Sequence, residues 1–195
     1  DFIAVTGNNE SIDGGAGHDT IWATGTGDTI TGSNDTIVGQ TGEQDLGITG
    51  NNNSIVGGAG NGTYDVNGNN DTVSAGTGDK TLNVGGSHNI VGLGAGADTV
   101  NLSGSLETIV GGPGGTALIN LGGVNQTFSD TTGVYHDTIV GFSQASGDRI
   151  HLTTDTATNA LAHTATVGQD TLITLSDGST ILLKWVHNIG ASFFS

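Results

Sequence analysis

Bulky apolar residues recur along the first two thirds of the chain: Ile12, Ile21, Ile30, Ile37, Leu46, Ile55, Tyr64, Val73, Leu82, Ile90, Val100, Ile109 and Leu118. The step is nine residues, apart from single steps of seven, eight and ten. Most of these residues follow a Thr or Ser, and behind that a cluster of Gly, Asn and Asp, so each unit reads as a tight turn and then a short strand with period-two alternation. Two kinds of turn alternate. One is glycine-dense, as at residues 14–19, 57–62, 75–80, 93–98 and 111–116; the other is asparagine-rich, as at 7–12, 50–55 and 68–73. The coil is therefore eighteen residues: strand, turn, strand, turn. A three-residue strand cannot bury a face alone, but coils stacked at about 4.8 Å form two parallel sheets with one thin core between them. The pattern predicts an all-β fold, a parallel solenoid of β-roll or β-helix type built from nine-residue half-coils.

After residue 128 the beat stops and longer strands are expected around residues 137–142, 148–152, 171–175 and 180–185. The last two flank Asp177-Gly178, a hairpin signal. A solenoid needs an atypical terminal unit over its last core layer, so the reading is two parts: a solenoid over 1–128 and a C-terminal β cap over 129–195. Residues 153–165 fit a loop or a helix. Phe2 to Gly7 already follow the repeat, so the chain starts inside it, with more sequence expected upstream.

Glycine makes up 36 of the 195 residues, more than twice the ordinary share of roughly 7%, which excludes a helical bundle and fits a chain of repeated tight turns. Nineteen acidic residues against three basic ones give a net charge of -16, which repels nucleic acid and anionic membrane surfaces. With no Cys there is neither a disulfide nor a thiolate metal site, and no apolar run reaches the ~20 residues of a membrane span. The six histidines lack zinc-site spacing. Residues 141–145 miss the nucleophile elbow at its last glycine. No catalytic centre is legible, and the chain is read as a non-enzyme.

The glycine-dense units resemble the hemolysin-type RTX nonapeptide, Gly-Gly-x-Gly-x-Asp-x-apolar-x. Gly14 to Trp22 match every fixed position, and Leu93 to Asn101 match all but the first glycine. In that family, Asp carboxylates and glycine carbonyls of neighbouring coils enclose Ca²⁺, a hard ion that takes oxygen ligands. The resemblance implies calcium ligands at Asp19 and Asp98, with backbone oxygens from Gly15, Gly17, Gly94 and Gly96. Asp28, Asp35 and Asp71 are secondary candidates. The Asp position is Gly62, Lys80 or Thr116 in other units, so the row of sites is broken, and Lys80 sets an ammonium where the cation belongs. Where aspartate is lost, Asn51 to Asn53, Asn69, Asn70 and Asn89 are expected to stack amide on amide along the coil axis.

From Tyr135 onward, His-Asp-Thr-Ile-Val-Gly-Phe followed by Gly-Asp-Arg-Ile-His-Leu resembles the C-terminal part of type I secreted RTX proteins, such as serralysin-like proteases and alginate epimerase repeat modules. The apolar ending from Ile189 to Ser195 is similar to their uncleaved secretion signal. The resemblance implies a secreted bacterial protein. It points to a calcium-binding, non-catalytic solenoid with a structural, adhesive or matrix-forming role, partnered by calcium, by copies of itself, or by a cell-surface polysaccharide. Two other readings stand beside it. One is the secretion and folding module of an extracellular hydrolase or polysaccharide-modifying enzyme. The other is ice or polysaccharide held on the Thr/Asn ladder, although no regular Thr array is legible over successive coils. For the assembly role, Thr20, Thr36, Thr72, Thr99 and Thr108, each just before a bulky residue, are expected to line a regular outer face.

Overall fold

The computed structural model describes all 195 residues as a two-sheet β-solenoid. Strands alternate between the sheets along the chain. One sheet has nine strands, all parallel, from Phe2–Thr6 to Arg149–His151; the other has eleven, from Ser11–Ala16 to the C-terminal hairpins. Register confirms the eighteen-residue coil: Ile55 pairs with Val73 and Val73 with Val91 on the first sheet, and Tyr64 with Leu82 and Leu82 with Val100 on the second. One coil is two residues shorter, Thr20 pairing with Thr36.

Parallel stacking runs past residue 128 as the coils lengthen, with Leu118 pairing Thr138 and Thr127 pairing Arg149. The second sheet then ends in a meander of Thr164–Val167, Asp170–Thr174 and Thr180–Leu183, the last lying parallel to His136–Val140. A short helix, Ala157–Ala162, occupies the segment readable as loop or helix. The C-terminal residues cover this end of the stack: Phe193 stacks on Phe142 with centroids 5.7 Å apart, and the Ser195 N–H donates to the Ile150 carbonyl at 3.0 Å.

The core is a column of Ile, Val and Leu from both sheets, widened by Tyr64 and Phe128. Two expected core positions are corrected. Ile90 and Leu118 face solvent, at 44% and 41% exposure, while Val91 and Ile119 point inward. With Val91 in the row the spacing from Leu82 through Val100 is uniformly nine; the apparent steps of eight and ten came from choosing the bulkier of two adjacent apolar residues. We expect Val91→Ala to cost about 2 kcal/mol, the loss of two buried methyl groups, and Ile90→Ala to stay within about 0.5 kcal/mol in urea unfolding. Equal costs would refute this register.

The outer face of the first sheet carries a row of hydroxyls in register: Thr20, Thr36, Ser54, Thr72, then Ile90, then Thr108 and Thr127. This array is far more regular than the sequence reveals. Thr99 does not belong to it, since its strand lies in the second sheet.

Candidate metal-binding corners

Each coil turns twice, and at most of these turns a polar side chain is buried just before the next strand. Along the edge that leads into the first sheet these residues are Asp19, Asp35, Asn53, Asp71, Asn89, Glu107, Gln126 and Asp148, all buried. They form one continuous ladder. The backbone N–H of each donates to the side-chain oxygen of the residue one coil on: Asp35 to Asn53 at 3.0 Å, Asn53 to Asp71 at 2.7 Å, Asp71 to Asn89 at 2.8 Å, Asn89 to Glu107 at 2.6 Å. A turn backbone that the sheets cannot pair is satisfied in this way.

The second side-chain atom of each rung separates the amides from the acids. Asn53 Nδ2 donates to the Gly32 carbonyl at 3.1 Å, Asn89 Nδ2 to Gly68 at 3.0 Å, and Gln126 Nε2 to Gly104 at 2.9 Å. At Asp19, Asp35, Asp71 and Glu107 the corresponding oxygen is buried with no donor. A Cβ on Gly68 would lie 1.6 Å from the Gly50 carbonyl oxygen and 2.5 Å from Asp71 Oδ2, so two acceptors face each other across that glycine. Burial pushes the Asp71 carboxyl up to about 6, against the N–H of Asn53, which lowers it. The Glu107 carboxyl is raised first by burial and further by the charge of Asp71.

The opposite edge, leading into the second sheet, carries Gln44, Gly62, Lys80, Asp98, Ala117 and Asp137 in one row. Asp28 lies nearby, its Oδ1 accepting the Glu10 N–H at 3.0 Å and its Oδ2 buried without a donor. Asp19 and Asp98, which hold the same position of one motif, therefore stand on opposite edges of the molecule. The reason is a phase slip: the glycine-dense turn 14–19 is followed by a second such turn at 25–28, after which the two turn types exchange sheets.

Asp98 accepts the Lys80 N–H at 2.9 Å and the Gly94 N–H at 3.1 Å. Asp137, 3% exposed, accepts the Ala117 N–H at 2.8 Å through Oδ1, while Oδ2 is buried without a partner. Both carboxylates line a narrow cleft with Gly94, Gly96, Gly112 and Gly115. The carbonyl oxygens of Gly96 and Gly94 converge there, 2.8 and 3.0 Å from where a Cβ on Gly115 would sit, which keeps that position glycine. Burial drives the Asp137 carboxyl up to about 7, and the charge of Asp98 pushes in the same direction. Two carboxylates and two convergent carbonyls are a hard-oxygen donor set of the kind a calcium ion takes. No three acidic or histidine side chains meet at one point, so main-chain oxygens would have to complete any cation site.

The structure thus brings together Asp98, Gly94 and Gly96 as expected from the motif and adds Asp137, which that reading missed. Its signal was present: Asp-Thr followed by a bulky apolar residue occurs at residues 19–21, 28–30, 35–37, 71–73, 98–100, 137–139 and 170–172. Asp19 and Asp35 are consecutive rungs at the other edge, with Asp35 Oδ2 2.7 Å from a Cβ built on Gly14. Gly15 has nothing near its Cβ position, and Gly17 only Asp19 Oδ2 at 3.9 Å. Among the asparagines, Asn69 does stack on Asn51, Nδ2 to Oδ1 at 3.2 Å, but Asn53 and Asn89 spend their amides on glycine carbonyls instead. A longer amide stack runs where none was expected, on the outside of the second sheet: Asn83 to Asp65, Asn101 to Asn83 and Asn120 to Asn101, at 2.6 to 2.8 Å.

No family model and no curated protein matches the chain. Among solved structures, the extracellular lipase LipA from Serratia marcescens is similar over 92% of this chain and 40% of its own length, at 16% identity and a TM-score of 0.42. No helix is long and apolar enough to cross a membrane.

Proposed function

We propose that this chain is a calcium-binding β-solenoid of a secreted bacterial protein, with a structural, adhesive or matrix role and no catalytic centre of its own. The observation that carries the reading is Asp137 Oδ2, buried without a donor in a cleft that Asp137 lines together with Asp98, Gly94 and Gly96. A buried carboxylate oxygen without a partner is costly, and a divalent cation would remove that cost. Asp98, Asp137, Gly94 and Gly96 are the residues that would hold it, and the ion would supply a charge linking successive coils. The net charge of -16 gives the same reading a second support, since bound cations relieve self-repulsion. The match of residues 14–22 and 93–101 to the RTX nonapeptide names calcium rather than another hard cation.

Calorimetric titration of the metal-free chain with calcium, with parallel melting curves in calcium and in chelator, tests the proposal. At least one site per chain and a higher Tm in calcium are expected. Identical melting curves under the two conditions would remove it.

A further inference from the structure

The edge that carries Asp98 also holds a cation cradle that the chain fills from within. Lys80 occupies the row position that Asp98 takes one coil later, and it is buried, at 2% exposure. Its side chain reaches into the preceding glycine turn. Nζ donates to the carbonyl oxygens of Gly58 at 3.3 Å, of Thr77 at 2.9 Å and of Gly60. An ammonium has three N–H donors and no acceptor, so this set of carbonyls uses all three. Gly58 and Gly60 hold the same places in their turn as Gly94 and Gly96 hold two coils on. Burial lowers the affinity of this amine for its proton, while the charges of Asp98 and Asp79 raise it again. A buried ammonium contributes no apolar packing at its head, and the convergence of three main-chain oxygens on it is the arrangement of a cation site.

We infer that Lys80 is a tethered cation occupying the carbonyl cradle between the turns 57–62 and 75–80, which closes that pair of coils without metal. The alternation along this edge is then one internal ammonium followed by the Asp98–Asp137 cleft. Vacating the cradle opens it to an external cation, and a carboxylate in place of the ammonium makes it a divalent site. The inference rests on the calcium reading only for the identity of that external ion.

Three variants test it: Lys80→Asp, Lys80→Met and Lys80→Gly, each titrated calorimetrically with calcium and melted in chelator and in calcium. In chelator every variant is expected to melt below the wild type. Calcium should restore Lys80→Asp and raise Lys80→Gly beyond the wild-type response, but give Lys80→Met, whose thioether stem still fills the cradle, only that response. Lys80→Asp should bind one more calcium per chain than the wild type. Lys80→Met melting with the wild type in chelator would overturn the role of the ammonium. A folded Lys80→Asp with unchanged stoichiometry would overturn the cradle, as would a Lys80→Gly without added calcium response should Lys80→Asp fail to fold. Binding of one calcium by Lys80→Asp and none by the wild type would uphold Lys80 and defeat the Asp98–Asp137 reading. Calcium on the wild type with no gain in any variant would do the reverse.

Discussion

Asp137→Asn is expected to uncouple folding from calcium while making the metal-free chain more stable at pH 8. The asparagine keeps the oxygen that accepts the Ala117 N–H, and it replaces the donorless Oδ2 by an N–H group in a cleft whose walls include the Gly94 and Gly96 carbonyls. That is the geometry in which Asn53 and Asn89 already serve the other edge. Without metal, the variant trades a buried charge for a hydrogen bond, a gain of about 1–3 kcal/mol. With calcium at 100 to 1,000 times its dissociation constant the wild type gains about 3–4 kcal/mol that the variant does not. The two proteins should therefore exchange rank in unfolding midpoints between chelator and calcium. Asp98→Asn is a weaker probe, because Asp98 already accepts two backbone N–H groups. If Asp137→Asn responded to calcium as the wild type does, the ion would lie elsewhere, and the Asp19–Asp35 pair would be the next place to look.

The solenoid and its eighteen-residue coil were legible because both follow from the spacing of small and bulky residues, which the turns enforce locally. Four things were not. The choice of Val91 over Ile90 shows in register with Val73 and Ile109; the nine-residue beat from Leu82 to Val100 falls on Val91, but the bulkier Ile90 beside it masks the position. The separation of Asp19 from Asp98 follows from two successive glycine-dense turns near residues 14–28, a slip in phase that motif matching ignores because every unit matches by itself. Asp137 was missed because the coils lengthen before it, from eighteen residues between Thr81 and Thr99 to twenty between Leu118 and Thr138. Lys80 could be read from sequence as an ammonium at a cation position; that three carbonyls hold it could not, since backbone oxygens carry no sequence signature.

Asp71→Asn is expected to leave the metal-free chain unchanged in stability at pH 4 and to stabilise it by about 1–3 kcal/mol at pH 8, a range set by a pKa change of one to two units. In the inward-facing ladder Asn53 and Asn89 each present an N–H to a glycine carbonyl, whereas Asp71 presents a bare oxygen beside the Gly50 carbonyl. A protonated carboxyl supplies the missing donor, which agrees with the rise of this group to about 6. The folded chain then holds that proton more tightly than the unfolded one. The resulting stability is fully present below the unfolded value of about 3.9 and is lost as pH rises through the folded value. Glu107 is displaced in the same direction, chiefly by its own burial, so the Asp71→Asn variant should retain part of this slope. Asp71→Ala separates the two roles of the side chain, because it also removes the acceptor of the Asn53 N–H and should destabilise at both pH values. Urea unfolding of the three proteins in chelator at pH 4 and pH 8 measures all of these differences. An Asp71→Asn variant less stable than wild type at pH 8 would mean that the anion is met by a donor or cation the ladder does not contain. A gain confined to high pH would show that these acids act as amides only while protonated, so that the column of buried rungs tightens in acid where most folds loosen.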